Sequence, residues 1–389
     1  MPATITAELA QLNPRDVNYA TRFVELLLAA AQEVKASDVH LQPTATGLEI
    51  RWRLDGVLQT VGEFPRGEAT DVAARLKVLA RLLTYRTDIP QEGRIPVEHA
   101  GNEMRISTFP SLHGERVVIR LFVAPQELLQ LADLGLPAEV ANALENALAR
   151  TSGALLITGP AGGGKTTTAY ASLRHVVRAS GGARSIVSLE DPIEVAIGGV
   201  SQSQVNPAAG FDLAGGLRSL LRQDPEVVLL GEIRDQPTAA AVFQAALTGQ
   251  LVISTFHAGS ACEAISRIAE MGIEPYLLRS GLALLIQQRL LRRLCKCAAG
   301  KNEPLGCAEC QLSGYRGRIA TAELLPPLSN EIAAAVLRHA DAAELQTIAE
   351  AAGMIPLRQR AEELLAAGLT SRAEVHRVLG IRDESAAGR

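Results

Sequence analysis

A glycine-rich stretch followed by a lysine and a threonine is the strongest chemical signal in this chain of 389 residues. Residues 159–166 read Gly-Pro-Ala-Gly-Gly-Gly-Lys-Thr, which is the full spacing of a phosphate-binding loop. In such a loop the backbone N–H groups surround the phosphates of a nucleotide, and the start of the following helix adds positive potential. We therefore expect ATP or GTP to bind here.

The residues of this loop have separate expected roles. Lys165 would reach the β- and γ-phosphates, and the hydroxyl of Thr166 would bind Mg²⁺. A strand-like run, 154–158, precedes the loop and a helix-forming segment, 166–177, follows it, so a chance glycine-rich turn is disfavoured. The predicted nucleotide-binding residues are Gly159, Pro160, Ala161, Gly162, Gly163, Gly164, Lys165, Thr166 and Thr167.

Acidic side chains follow two apolar runs further along the chain. Glu232 comes after the run 227–230, and the segment 190–194, which begins with Glu190, follows the run 185–189. At the carboxyl ends of parallel strands, these carboxylates would hold Mg²⁺ indirectly or orient the attacking water. A solvated strand end and a plain Asp-Pro turn are the alternatives at the two places.

A histidine follows another apolar run. His257 comes just after residues 251–255, where an imidazole can sense the γ-phosphate or orient water. A single histidine at the end of a strand is also common as a purely structural residue, so the residue type alone leaves both roles open.

The elements that must position these groups fall into two regions. Residues 16–123 combine two helical segments, at 16–34 and 69–84, with an Asp-Gly hairpin over 47–61 and strand-like runs, which predicts a small mixed α/β domain. From residue 136 onward, short continuous apolar runs fit a parallel sheet covered on both faces. The predicted divisions are an N-terminal extension (1–15), an N-terminal domain (16–123), a linker (124–135) and a second α/β domain (136–389) that ends in a helical tail (329–389).

The composition excludes several classes of protein. With 47% hydrophobic and 21% charged residues the chain is globular, and neither a signal peptide nor a run able to span a bilayer is visible. A net charge of −4 and only 3% aromatic residues argue against nucleic-acid binding. The one basic stretch, 287–296, is short and is interpreted as a solvated helix face. We expect a cytoplasmic protein.

Four of the five cysteines lie close together in the sequence and form a candidate metal site. They are Cys295, Cys297, Cys307 and Cys310. Four thiolates suit tetrahedral Zn²⁺, which stabilises a segment too short to have its own core. The first pair is C-x-C rather than C-x₂-C, and unliganded buried thiols are the alternative. The fifth, Cys262, is predicted to be a small core residue.

The motifs also have a characteristic order along the chain. They are ASDVHLQP (36–43), RWRLDGVL (51–58), RISTFPSLHGERVVIR (105–120), the phosphate loop, SLEDPIE (188–194), LRSLLRQDPEVVLLGEIRD (217–235), TGQLVISTFHAGSA (248–261) and GYRGRIATAELL (314–325). This order resembles the secretion ATPases of bacterial type II secretion and type IV pilus assembly. The resemblance covers about residues 16–380, and it implies a PAS-like N-terminal domain, a RecA-like P-loop ATPase domain and a hexameric ring.

The resemblance also implies roles for individual residues. Glu232 and Glu190 would be catalytic, and His257 would sense the γ-phosphate. Arginines of the N-terminal domain would reach the nucleotide, where guanidinium groups stabilise the charge on the γ-phosphoryl oxygens. The matching positions are Arg105 and Arg120, with Arg94 a weaker candidate, and the matching nucleotide-binding arginines of the motor domain are Arg218, Arg222 and Arg234. Surface salt bridges are the alternative for each arginine.

The function that the resemblance implies is an ATP-hydrolysing motor at the inner membrane. It would power assembly of a type IV pilus or a type II pseudopilus, and it would reach the membrane through a platform protein. The four cysteines favour assembly over the alternative of pilus retraction. A nucleic-acid-dependent motor and a non-catalytic nucleotide-gated scaffold are weaker alternatives, since the charge balance and the intact carboxylates argue against them.

Two departures from the family pattern stand out. Gln250 takes the place of a histidine, so only His257 of that motif can titrate. The chain also begins close to the PAS-like region, so we expect it to lack the further N-terminal domain with which longer relatives dock.

Overall fold

The chain forms two compact units in a computed structural model. The first comprises residues 1–124 and 305–316, and the second comprises residues 125–304 and 317–389. Residues 122–129, which include the first half of the predicted linker, and residues 381–389 at the end of the predicted tail lie outside the described residues. The structure describes residues 3–68, 71–96, 104–121, 130–298, 300–301, 303–328 and 330–380.

The first unit is built on an antiparallel sheet of six strands in the order β3-β2-β1-β6-β5-β4. The strands are β1 (Asp38–Pro43), β2 (Leu48–Leu54), β3 (Val57–Phe64), β4 (Gln91–Ile95), β5 (Met104–Ser111) and β6 (Gly114–Leu121). Its helices are α1 (Ala3–Ala10), α2 (Tyr19–Glu33) and α3 (Val72–Leu79). One face of the sheet is apolar, and Trp52 and Ile119 on it share a buried core with Phe23 and Leu27 of α2.

The predicted Asp-Gly hairpin is confirmed. Asp55 and Gly56 connect β2 to β3 with φ angles of 46° and 83°. Positive φ at both central residues is the signature of a type I′ turn, whose twist matches that of the flanking strands.

A sheet of seven strands in the order β13-β12-β7-β11-β10-β8-β9 lies at the centre of the second unit. Neighbouring strands from β12 through β9 run parallel. The strands are β7 (Gly153–Thr158), β8 (Ile186–Glu190), β9 (Ser201–Gln204), β10 (Val227–Ile233), β11 (Leu251–Phe256), β12 (Leu282–Leu294) and β13 (Tyr315–Leu324).

Both faces of this sheet are covered, as the continuous apolar runs predicted. Successive residues of β10 enter different cores, Val228 and Leu230 on one side and Val227 and Leu229 on the other. The helices are α4 (Ala138–Leu148), α5 (Lys165–Ser180), α6 (Leu213–Leu220), α7 (Gln236–Leu247), α8 (Ala261–Glu270), α9 (Pro275–Gly281), α10 (Asn330–Leu337), α11 (Ala342–Ala351), α12 (Leu357–Ala366) and α13 (Arg372–Leu379). The expected fold class is therefore confirmed, and so is the helical tail in the described residues.

One element was predicted wrongly. Residues 287–296 are not a solvated helix face, because strand β12 runs to Leu294 and lies between β7 and β13 in the sheet. The polar residues Gln287 and Gln288 are buried in it. The run of leucines and arginines is too short to show a sustained helical period, so its sequence pattern does not distinguish a helix from a strand. No helix in the described part of the chain has the length and apolar character that crossing a bilayer requires.

Candidate nucleotide site

The glycine-rich loop connects the end of β7 to the start of α5. Lys165 is the first residue of this helix of 16 residues, so the positive end of the helix faces the loop. Gly162 and Gly164 have φ angles of 72° and 87°, which residues with a Cβ rarely adopt. Such conformations turn consecutive N–H groups toward one concave side, which binds anions. The residues present therefore fit the phosphates of a nucleotide.

Lys165 is a buried cation beside this concave side. Lys165 is only 8% exposed, and its Nζ donates to the carbonyl oxygens of Gly159 (3.0 Å) and Pro160 (2.9 Å). Burial lowers the pKa of Lys165; Glu232 acts in the opposite direction, and Arg289 lowers the pKa further. A phosphate would offset this desolvation, because an anion stabilises the charged ammonium.

Glu232 lies at an irregularity of strand β10. The register between β10 and β11 shifts between Leu230 and Ile233, and such a bulge redirects the side chain that it carries. Glu232 Oε1 is 3.0 Å from Nε2 of His257, and His257 Nδ1 is 3.5 Å from Lys165 Nζ. Three residues predicted from separate motifs therefore form one continuous chain of contacts.

Arg234 connects the two acidic segments. Its Nε donates to Glu232 Oε2 at 3.1 Å, and its Nη1 donates to Asp191 Oδ2 at 3.1 Å. The guanidinium therefore holds the end of β10 against the residue that follows β8. Because Glu232 contacts both Arg234 and His257, its carboxylate is surrounded by cationic or potentially cationic groups.

Glu190 lies at the same edge of the sheet but in a closed environment. Glu190 is 3% exposed. Its carboxylate accepts hydrogen bonds from Tyr170 Oη, from Ser188 Oγ at 2.5 Å and from Gln202 Nε2 at 3.0 Å. Tyr170 Oη in turn accepts the N–H of Glu194 at 3.0 Å. Burial, and after it the hydrogen bond to Glu190, raises the pKa of Tyr170, so the phenol remains a donor.

A family model described as "Type II/IV secretion system protein" matches residues 14–377. The chain belongs to this secretion family. It is 38% identical over 373 residues to the type II secretion system protein HxcR of Pseudomonas aeruginosa, covering 94% of this chain and 79% of that protein. It is 39% identical over 381 residues to the type II secretion system ATPase E of Vibrio cholerae, covering 92% of this chain and 75% of that protein.

A solved structure has the same fold as this member of the secretion family. The pilus retraction motor PilT with bound ADP superposes with a TM-score of 0.63 at 24% identity, covering 93% of this chain and 98% of that chain. The resemblance inferred from the order of motifs is confirmed, and with it the expectation of a secretion ATPase.

Gln250, which stands where the family pattern has a histidine, lies away from the candidate site. Gln250 immediately precedes β11, where its Oε1 accepts a hydrogen bond from Thr248 Oγ1 at 2.9 Å. His257 immediately follows the same strand, which places the two residues about 23 Å apart at roughly 3.3 Å per residue. The amide at position 250 therefore leaves the contacts of His257 with Lys165 and Glu232 intact.

Two predicted nucleotide-binding arginines of the motor domain lie apart from the loop. Arg218 and Arg222 are exposed at the end of α6, and Arg222 donates to Arg218 O at 3.2 Å and to Ser219 Oγ at 3.3 Å. No contact in the described ranges joins either of them to the phosphate loop. Their role in binding nucleotide stays a prediction.

The arginines predicted in the N-terminal region form a row across its sheet. Arg94 on β4 lies opposite Arg105 on β5, which in turn lies opposite Arg120 on β6. Asp38 on β1 is the next residue in the row, and its carboxylate binds Arg120 at 3.1 Å and Arg53 at 3.4 Å. The role of Arg94, Arg105 and Arg120 at the nucleotide stays a prediction. The strand register shows that the three arginines lie on the same face of the sheet.

Sequence reasoning missed two glutamines of β12. Gln288 contacts the phosphate loop, and Gln287 contacts the loop after His257. The available signal was a pair of amides inside an apolar run, which should have suggested polar side chains with buried partners.

The four clustered cysteines have the geometry of a metal site. Their sulfur atoms all lie within 4.8 Å of one another, and Cys307 Sγ is 3.7 Å from Cys310 Sγ. Tetrahedral Zn–S bonds of about 2.3 Å place two sulfurs roughly 3.8 Å apart, so the set fits Zn²⁺. Cys262 is confirmed as a core residue, and burial raises the pKa of its thiol to about 12.

Proposed function

We propose that this secretion ATPase is an assembly-type motor that works as a ring of six copies. It would power growth of a type IV pilus or of a type II pseudopilus, and it would stay at the inner membrane by docking on a platform protein. The observation that carries the proposed site is the continuous chain from Lys165 through His257 to Glu232. The cysteine set supports assembly over retraction, because the assembly branch of the family carries such an element.

The residues of the site divide the work of hydrolysis. The N–H groups of residues 159–167 and Lys165 would bind the phosphates, and Thr166 in the first turn of α5 would hold Mg²⁺. When bound, Mg²⁺ neutralises charge that develops on the phosphoryl oxygens. Glu232 is accessible enough to orient the attacking water and accept its proton, and His257 fixes the orientation of this carboxylate.

Other predicted residues act around this centre. Glu190 would position the segment 191–194 through its bond to Tyr170 rather than touch water itself. Arg105 and Arg120 would supply positive charge to the γ-phosphoryl group, and the exposed Arg218 and Arg222 are accessible to a nucleotide held by a neighbouring copy.

The test is the Lys165→Ala variant in a coupled assay of phosphate release. We expect kcat to fall roughly 10³-fold and nucleotide affinity to weaken, because no other side chain replaces the buried cation. The matched control is Arg178→Ala, which removes an exposed cation from the last turn of the same helix. Near wild-type turnover in Lys165→Ala would overturn the proposed site.

Native mass spectrometry with ATP tests the ring of six copies. Added DNA should leave the rate of ATP hydrolysis unchanged.

Zinc at the cysteines is tested by metal analysis of protein purified without chelators. We expect about one zinc per chain, and a lowered unfolding temperature when Cys307→Ser removes one ligand. The matched control is Cys262→Ser, which changes a cysteine outside the cluster and should leave the zinc content unchanged. Metal-free protein that is as stable as the zinc-loaded protein would contradict the assignment.

A further inference from the structure

Strand β12 presents two consecutive buried amides to the edge of the sheet that carries the nucleotide site. Gln287 is 0% exposed and Gln288 is 2% exposed. A buried amide costs free energy unless its oxygen and nitrogen are both hydrogen-bonded. Both glutamines meet this condition, and every partner lies in a loop or strand end that borders the site.

Gln288 supports the phosphate loop from behind. Its Nε2 donates to Gly163 O at 3.0 Å, and its Oε1 accepts the hydroxyl of Thr168 at 2.8 Å. A Cβ at Gly159 would lie 2.4 Å from the carbonyl oxygen of Gln288, and a Cβ at Gly164 would lie 2.6 Å from its Nε2. The backbone of Gln288 therefore requires glycine at position 159, whereas at Gly164 the φ angle of 87° is the stronger reason for glycine.

Gln287 holds the neighbouring loop. Its Nε2 donates to Ala258 O at 3.1 Å and to Gly259 O at 2.9 Å, the two residues that directly follow His257. Its Oε1 accepts the hydroxyl of Thr158, the last residue of β7. The amide therefore ties the histidine loop to the strand that leads into the phosphate loop.

We propose that Gln287 and Gln288 are a pair of positioning residues with separate kinetic roles. Gln288 fixes the phosphate loop and so sets the affinity for nucleotide. Gln287 fixes the backbone after His257 and so sets the rate of the chemical step. The inference rests on the proposed nucleotide site and adds to it the strand that aligns its two loops.

The first experiment compares Gln288→Met with Gln287→Met, which remove the hydrogen bonds with little change in volume. For Gln288→Met we expect KM for ATP and Kd for ADP to rise about tenfold while kcat changes less than about threefold. For Gln287→Met we expect kcat to fall about tenfold while KM for ATP stays within about threefold. A merely structural role would lower kcat in both variants through a smaller folded fraction and would leave KM unchanged, so kcat is expressed per site that binds ADP.

A second experiment tests the contacts of Gln288 with Gly163 and Thr168, and its Glu variant gives a result even where Gln288→Met folds poorly. Gln288→Glu keeps an acceptor for Thr168 but loses the donor to Gly163, so KM should rise as in Gln288→Met. Thr168→Val removes the hydroxyl, and its effect should be smaller in the Gln288→Met background than in wild type. Thr321→Val is the matched control, because in the described structure this buried hydroxyl on β13 has no partner.

The outcomes separate the two proposals. If Lys165→Ala abolishes turnover but the glutamine variants share one kinetic profile or match wild type, the positioning roles are wrong and the site stands. Fully additive effects of Thr168→Val and Gln288→Met also overturn the role of Gln288. If Lys165→Ala keeps turnover, the proposed site itself fails.

Discussion

The carboxyl ends of β8 and β10 carry one glutamate each, and the two glutamates differ in their burial and in their partners. Glu190 on β8 is buried, and its carboxylate accepts bonds from three side chains. The side chain of Glu232 on β10 is 21% exposed, and it contacts His257 and Arg234. Similar positions at the edge of a parallel sheet therefore hold one closed carboxylate and one accessible carboxylate.

This difference shows that position in the fold does not by itself assign a role. A carboxylate whose lone pairs are occupied by donors must break a buried network before it can accept a proton, and a broken buried bond costs about 1–3 kcal/mol. Glu232 also contacts partners, Arg234 and His257, but these side chains are about half exposed, so water can replace them at its carboxylate. We therefore propose a positioning role for Glu190 and a chemical role for Glu232.

The largest expected effect comes from exchanging the two carboxylates in turn for amides. Glu232→Gln should lower kcat roughly 10²- to 10³-fold and leave nucleotide affinity nearly unchanged, because the amide cannot accept a proton. Glu190→Gln should lower kcat less but should lower the free energy of unfolding, because it removes charge-assisted bonds in the interior. Single-turnover assays and urea titrations measure the two quantities. A larger loss of kcat in Glu190→Gln would reverse the assignment.

A smaller effect should follow from His257→Asn. This variant tests whether His257 acts through the accessible carboxylate of Glu232. The amide keeps one hydrogen bond but removes the group that lies between Glu232 and Lys165, so we expect kcat to fall about 10- to 100-fold. The loss should not grow when Glu232→Gln is added, since both residues act in one unit. Independent, multiplying losses in the double variant would mean that His257 does not act through Glu232.

The smallest effect is expected from Tyr170→Phe, which opens the closed network. Removing one hydroxyl deprives Glu190 of a donor and the N–H of Glu194 of an acceptor, so unfolding should become easier by about 1–3 kcal/mol. Turnover should fall only a few-fold. The matched control is Tyr276→Phe. This tyrosine is exposed, so we expect no change in the free energy of unfolding. Equal stability of the two variants would show that the network around Glu190 is not structural.

Much of the second unit is predictable from its sequence, because its signals are local. The phosphate loop, the apolar strands and the residues Lys165, Glu232 and His257 follow from spacing and from the rule that parallel strands end at one edge. The hairpin at Asp55-Gly56 follows in the same way from turn chemistry.

The features that the sequence did not reveal depend on distant partners. Gln287 lies more than a hundred residues from Thr158, which it contacts. The burial of Glu190 depends on a tyrosine of α5 and on a glutamine of β9, and neither is marked by any motif. For the same reason the pattern of residues 287–296 predicts a helix face, since only the place of β12 between β7 and β13 identifies this stretch as part of a strand.

The row of arginines across the N-terminal sheet has a consequence for how the protein responds to salt. Residues directly opposite on neighbouring antiparallel strands place their Cβ atoms about 5 Å apart, so Arg94, Arg105 and Arg120 repel one another. Asp38 on β1 continues the row beyond Arg120 and binds this arginine through its carboxylate. At physiological ionic strength the Debye length is about 8 Å, so added electrolyte screens these close cations only in part. Multivalent anions should therefore stabilise this face more than sodium chloride does.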